Sequence, residues 1–268
     1  RTQAFQACST GSNPVGVIFL GATAKMRMPR NDVAIYDSLL LVSFGGPEGP
    51  GDVLPFLRNV VGDRPIPEER LREVAGHYAA FDGVSPINAQ NRALLAALIG
   101  QLNENGPPLA VYWGNRHWHP FLEDTVRQMA DDGMRHALAF CTSAFGSYPG
   151  CRQYTEEIER AQAAVGDRAP QIEKLRLFYN HPGFVEVMAE QLRAALAMMP
   201  EDRHESIAVL FTAHSLPVSL AASSPYESQL HEACRLVAEG ASVGRWQLAY
   251  QSRSGPPSQP WLEPSLSH

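Results

Sequence analysis

The chain has 268 residues and a formal net charge of −6, with 44% of residues hydrophobic and 19% charged. This is ordinary for a globular chain of one large domain or two smaller ones, and the acidic balance argues against a nucleic-acid partner. Four cysteines (Cys8, Cys141, Cys151, Cys234) lie far apart with no Cys-x-x-Cys pair, which excludes a disulfide framework or a complete metal site and reads as free thiols in a reducing cytoplasm.

No apolar run approaches ~18 residues, so no membrane-spanning segment is expected. Residues 1–33 hold one short apolar run, Val15 to Leu20, with no basic stretch before it beyond Arg1. A signal peptide is therefore not expected, and the segment reads as an extension of uncertain order.

From Tyr36 the pattern is regular. Ser38 to Phe44 is a buried strand ended by the turn Gly45-Gly46-Pro47. Leu71, Val74 and Tyr78 share the face of a helix that opens at Pro67, and Leu94, Leu95, Leu98 and Leu102 stripe another. Leu109 to Trp113 is a second strand. Leu122, Val126 and Met129 mark a helix that Gly133 closes, and Ala137 to Cys141 is a third strand. Tyr154, Ile158 and Ala161 line the next helix. Ile172 to Phe178 reads as a strand, and Val185, Met188, Leu192 and Met199 as a helix.

Ile207 to Phe211 is an apolar run of the kind found in strands buried on both faces. It leads into Thr212-Ala213-His214-Ser215-Leu216-Pro217, where the proline ends the strand. Ser224-Pro225-Tyr226-Glu227 has the spacing of a capping box, and Trp246 to Tyr250 is a last strand before a loop rich in proline. Strands alternating with helices predict an α/β fold with parallel sheets and right-handed crossovers. Two small doubly wound units, 34–178 and 179–268, are expected. There is no Gly-x-Gly-x-x-Gly stretch and no phosphate-loop lysine, so no nucleotide cofactor is expected. In open α/β sheets, ligands collect outside the carboxyl ends of the strands, which is where His214 falls. A histidine at that point is either structural or chemical.

Four strand-end stretches resemble ferrochelatases: Leu41 to Glu48, Gly83-Val84-Ser85-Pro86-Ile87, Phe211 to Pro217, and Gln251-Ser252-Arg253-Ser254-Gly255-Pro256, with Trp261-Leu262-Glu263-Pro264 extending the last. The likeness runs from about Tyr36 to Pro264 and is nearest to the coproporphyrin-inserting type. It implies two Rossmann-like, chelatase-type domains with a porphyrin cleft between them, and insertion of Fe²⁺ into coproporphyrin III or protoporphyrin IX by a cytoplasmic, monomeric lyase of haem biosynthesis. It makes His214 the metal ligand and proton acceptor. The glutamate that the family pairs with this histidine falls beyond His268, and Glu263 is no substitute. The resemblance therefore implies an incomplete second domain, with a porphyrin- or haem-binding protein without catalysis as the alternative.

The resemblance also implies porphyrin contacts at Phe44, Ser85 and Tyr154. Phe44 stands where some relatives carry a tyrosine, and without a ligating atom it can only pack. Ser85 can equally be a turn residue, and Tyr154 a core residue. In Arg116-His117, the cation could meet a porphyrin carboxylate and the histidine, or His119, could hand on iron; surface turn roles remain open. Arg253 offers a second cation, or only a solvated loop charge. Cys151 matches a ligand of a [2Fe–2S] cluster in related enzymes. Such a cluster takes four thiolates, and the other three would lie beyond His268.

Overall fold

In the computed structural model, residues 36–148, 152–200, 207–253 and 258–266 are described. The expected N-terminal extension, Cys151 and the Ser254–Pro257 stretch lie outside them. Four parallel strands form the first sheet: β1 (Ser38–Ser43), β2 (Ala110–Asn115), β3 (His136–Cys141) and β4 (Gln171–Lys174), in the order β2-β1-β3-β4. β1 is central and buried at every position, as its unbroken apolar run demands. Connections from β1 and β3 leave toward opposite sides. The switch point of the sheet therefore lies between these two strands, at the carboxyl ends where Phe44 and Thr142 emerge.

Five helices belong to this part: α1 (Val53–Val61), α2 (Glu68–Ala79), α3 (Ile87–Asn105), α4 (Leu122–Asp131) and α5 (Gln153–Val165). The stripes read for α2, α4 and α5 face inward, while Leu94, Leu95, Leu98 and Leu102 of α3 are only part-buried. Leu122, Val126 and Met129 of α4 meet Tyr154, Ile158 and Ala161 of α5 over Leu40 and Val42. Leu71 packs with Val53, Phe56 and Leu57 of α1 under Val74 and Tyr78. α1 itself went unread in the sequence.

The second sheet pairs β5 (Val209–His214) with β6 (Trp246–Gln251) in parallel, His214 opposite Gln251. α6 (Pro182–Ala197), the short α7 (Val218–Ala221) and α8 (Tyr226–Gly240) complete this part. No helix among the described residues is long and apolar enough to cross a membrane.

Four expectations are corrected. Met199, expected on one helical face with Val185, Met188 and Leu192, lies past the end of α6 at Ala197 and is 46% exposed. The strand expected over Ile172 to Phe178 ends at Lys174; β4 pairs on one side only, with Gln171 and Glu173 exposed. β5 is not buried on both faces. Phe211 and Ala213 face the α8 core, but Leu210 is 49% exposed, since α6 and α8 pack on the opposite face of this two-stranded sheet. The capping box does not form either. The Ser224 hydroxyl donates to the Ala221 carbonyl at 3.1 Å, and Pro225 takes the cap position of α8 without a side-chain bond.

Candidate active site

The loops after β1 and β2 are bound to each other because the ladder continues past both strands. The Arg116 N–H donates to the Ser43 carbonyl and the His117 N–H to the Phe44 carbonyl, both at 3.0 Å. This brings the Phe44 and His117 rings to 4.5 Å, with Phe56 of α1 edge-on to Phe44 at 6.1 Å. Tyr154, at the start of α5, is 4% exposed, and burial pushes its phenol up to about 12. Arg116 joins these rings. Its guanidinium carbon lies 5.7 Å from the Phe44 ring centre and 4.9 Å from that of Tyr154. Its side chain is only 5% exposed, donates to Gln153 Oε1 at 3.0 Å and lies 3.9 Å from the Glu157 carboxylate. An open cavity of about 330 Å³ adjoins it, lined among others by Asn115, Phe121, Glu157 and Arg160.

His117 is 9% exposed, and burial, with the Arg116 charge second, lowers its pKa from 6.5 to about 4. The ring is therefore neutral at pH 7. Below pH 6.5 the unfolded chain binds a proton that the folded chain refuses, so stability falls as pH drops from about 6.5 to about 4. The full effect is about 3 kcal/mol. His117→Gln is expected to flatten this limb: between pH 6.5 and 4.5 the wild type should lose about 2 kcal/mol more than the variant in urea unfolding. Equal losses would show that His117 is not held neutral.

Ser85 joins the same end of the sheet through the β1 turn, its N–H donating to the Pro47 carbonyl at 2.8 Å. Three asparagines that sequence reasoning missed fasten this region. Asn91 Nδ2 donates to Ser43 Oγ at 2.8 Å. Asn88 Nδ2 reaches the Gly46 and His119 carbonyls at 3.3 Å, and Asn115 Nδ2 donates to the His119 carbonyl at 2.9 Å. All three are buried. The signal was present: Asn88 and Asn91 are three residues apart at the start of a helix, hence on one face.

His214 is the last residue of β5 and half-buried. Its carbonyl accepts from the buried Tyr226 hydroxyl of α8 at 3.0 Å. The next residues are clamped by the C-terminal stretch. The Ser215 N–H donates to Gln251 O at 2.8 Å, Ser215 Oγ to Leu262 O at 3.1 Å, and the Leu262 N–H to Leu216 O at 2.9 Å. Two of the motifs that carried the resemblance are thus one hydrogen-bonded unit. The loop after β3 connects this unit to the first sheet: Phe145 meets Tyr226 edge-on at 6.3 Å, and the Gly146 N–H donates to Gln229 Oε1 at 2.6 Å. Arg253 is exposed and donates to the Gln259 carbonyl at 3.2 Å, bridging its own loop.

Phe44, Ser85, Arg116, His117 and Tyr154 therefore gather at the carboxyl end of the first sheet, and His214 and Arg253 at that of the second. The described thiols, Cys141 and Cys234, are buried and in no disulfide among the described residues, and no group of three metal-ligating side chains stands among those residues.

A family model described as ferrochelatase matches residues 36–268. The chain belongs to the ferrochelatase family. It is 54% identical over 231 residues to the ferrochelatase of Rhodopirellula baltica, covering 86% of this chain and 66% of that protein. It is 52% identical over 238 residues to the coproporphyrin III ferrochelatase of Nocardia farcinica (86% and 68%) and 50% identical over 234 residues to that of Mycolicibacterium smegmatis (86% and 69%). The chain thus spans about two thirds of the length of these ferrochelatases.

Proposed function

We propose that the whole protein inserts Fe²⁺ into a porphyrin in haem biosynthesis, with coproporphyrin III preferred, and that His214 carries the chemistry. The observation behind this reading is a histidine held at the carboxyl end of β5 by Tyr226 and by the Leu262 segment, in a chain of the ferrochelatase family. The substrate preference draws on the relatives named coproporphyrin III ferrochelatase. The two sheets are read as the cores of two Rossmann-like units, 34–178 and 179–268, with the porphyrin between their strand ends. A monomer in the cytoplasm completes the reading.

Metallation exchanges two pyrrole N–H protons for one Fe²⁺. The ring is stiff, so the site must accept protons, admit the metal and bend the macrocycle. A neutral imidazole accepts a proton near pH 7 and is a borderline ligand for Fe²⁺. His214 takes the first proton and passes it to solvent before the second leaves. Phe44 and Tyr154 are walls that bind a distorted ring better than a flat one, which favours the transition state. Ser85 and His117 meet the ring edge from the β1 and β2 loops, and Arg253 meets a carboxylate at the rim.

Coproporphyrin has four carboxylates against two in protoporphyrin IX. Its binding should lean more on cations and weaken faster with salt. The test is metallation by the whole protein of both porphyrins across a salt series. A kcat/KM that favours coproporphyrin III at low salt, and narrows as salt rises, is expected. Equal or faster turnover of protoporphyrin IX overturns the substrate assignment. Tight porphyrin binding without Fe²⁺- or Zn²⁺-dependent product overturns the activity.

A further inference from the structure

We propose that Arg116 is a positioning residue of the cleft, a wedge that sets the Phe44 and Tyr154 rings, and not a receptor for a porphyrin carboxylate. This rests on the functional reading above. The sequence suggested the opposite, since an arginine just past a strand end is well placed to meet an anion. Its surroundings argue otherwise. The side chain is 5% exposed, and the cavity that it helps to line is bounded by residues of α4 and α5 and not by Phe44, Ser85 or His214. Its Nη2 turns to α5, donating to Gln153 Oε1 at 3.0 Å with the Glu157 carboxylate 3.9 Å away. Glu157 is anchored in turn by Arg160 at 2.9 Å.

A guanidinium stays charged at any working pH, and burying it is costly unless its partners are fixed. Here the partners are a carboxylate and two aromatic faces, and Arg is the cation suited to stack on such faces. The three side chains come from three places: Phe44 from the end of β1, Arg116 from the end of β2, and Tyr154 from the helix after β3. The switch point lies between β1 and β3. One buried cation therefore ties the two sides of the crevice and sets the distance between their rings.

The consequence is kinetic. A wall that bends the ring acts more in the transition state than in the ground state, so its loss lowers kcat more than it raises KM. Arg116→Lys and Arg116→Met in the whole protein are each expected to lower kcat by ~10- to 100-fold, the scale of a displaced reacting geometry. KM should change little, and equally for coproporphyrin III and protoporphyrin IX, with an unchanged salt dependence. Lys keeps the charge but loses the planar fork, so it should not rescue.

A carboxylate receptor behaves differently. If either variant raises KM for coproporphyrin III selectively and flattens its salt dependence, the wedge is overturned. It is also overturned if Arg116→Lys keeps the wild-type kcat. Should Arg116→Met fail to fold, Arg116→Lys decides alone, with its melting temperature compared with the wild type. A wild-type protein that binds and metallates neither porphyrin overturns the functional reading itself, a result separate from any behaviour of the variants.

Discussion

In the whole protein, His214→Ala is expected to slow Fe²⁺ insertion by ~10²- to 10⁴-fold, the usual cost of losing a positioned general base. Two functions go at once, since the imidazole is both proton acceptor and iron ligand in the proposed mechanism. Porphyrin binding should change far less. The apolar walls around Phe44 and Tyr154 stay, and the backbone of β5 is held by bonds that do not involve the imidazole. Tyr226 binds the His214 carbonyl, and Ser215 binds Gln251 and Leu262. The measurement is porphyrin fluorescence quenching alongside a stopped-flow metallation assay. Retained binding with slow metallation supports the chemical role. A near-wild-type rate makes His214 a structural residue and removes the basis of the proposed mechanism.

Gly83→Ala is expected to be the most damaging small substitution in the described chain. Gly83 sits at φ +71°, and an added Cβ would lie 2.4 Å from Pro50 Cα and 2.6 Å from Pro50 N. Both neighbours are backbone, so nothing flexible can yield. The left-handed conformation costs about 1–2 kcal/mol for a residue with a side chain, and forced overpacking adds roughly 1–3 kcal/mol. A melting temperature lower by roughly 4–20 °C follows, at about 2–4 °C per kcal/mol for a chain of this size. Gly133→Ala is the control. Its φ is +81°, but a Cβ there meets nothing within 4 Å, so only the conformational cost applies. Equal losses at the two positions would mean that the approach of Pro50 does not matter. In the proposed function Ser85, two residues after Gly83, meets the porphyrin edge, so displacement of this turn should weaken porphyrin binding by the whole protein too.

The sequence by itself determined the alternation of strands and helices, the buried stripes and the strand end that bears His214. Each is local: an apolar run longer than a turn, a repeat near 3.6 residues, a proline that cannot extend a strand. Leu40, Val42, Val126, Ile158 and Ala161 stand at the apolar spacings that the sequence shows, and they are buried in one cluster. The motifs also disclosed the family, since their order and residues are specific without any structure.

Only the tertiary structure decided what those motifs touch. That the His214 stretch and the Leu262 stretch are one hydrogen-bonded unit depends on parallel pairing of β5 with β6, which joins residues far apart in the chain. The exposure of Leu210 could not be read, because apolar composition shows what a strand can bury and not what is there to cover it. The capping box at Ser224 was a real spacing, but its hydroxyl found a nearer acceptor in Ala221. Arg116 is the sharpest case. Its charge suggested a ligand contact, yet burial between Phe44 and Tyr154 turned it inward. A charge is written in the sequence, but its exposure depends on two strand ends and the start of α5 converging, and that is a property of the tertiary fold.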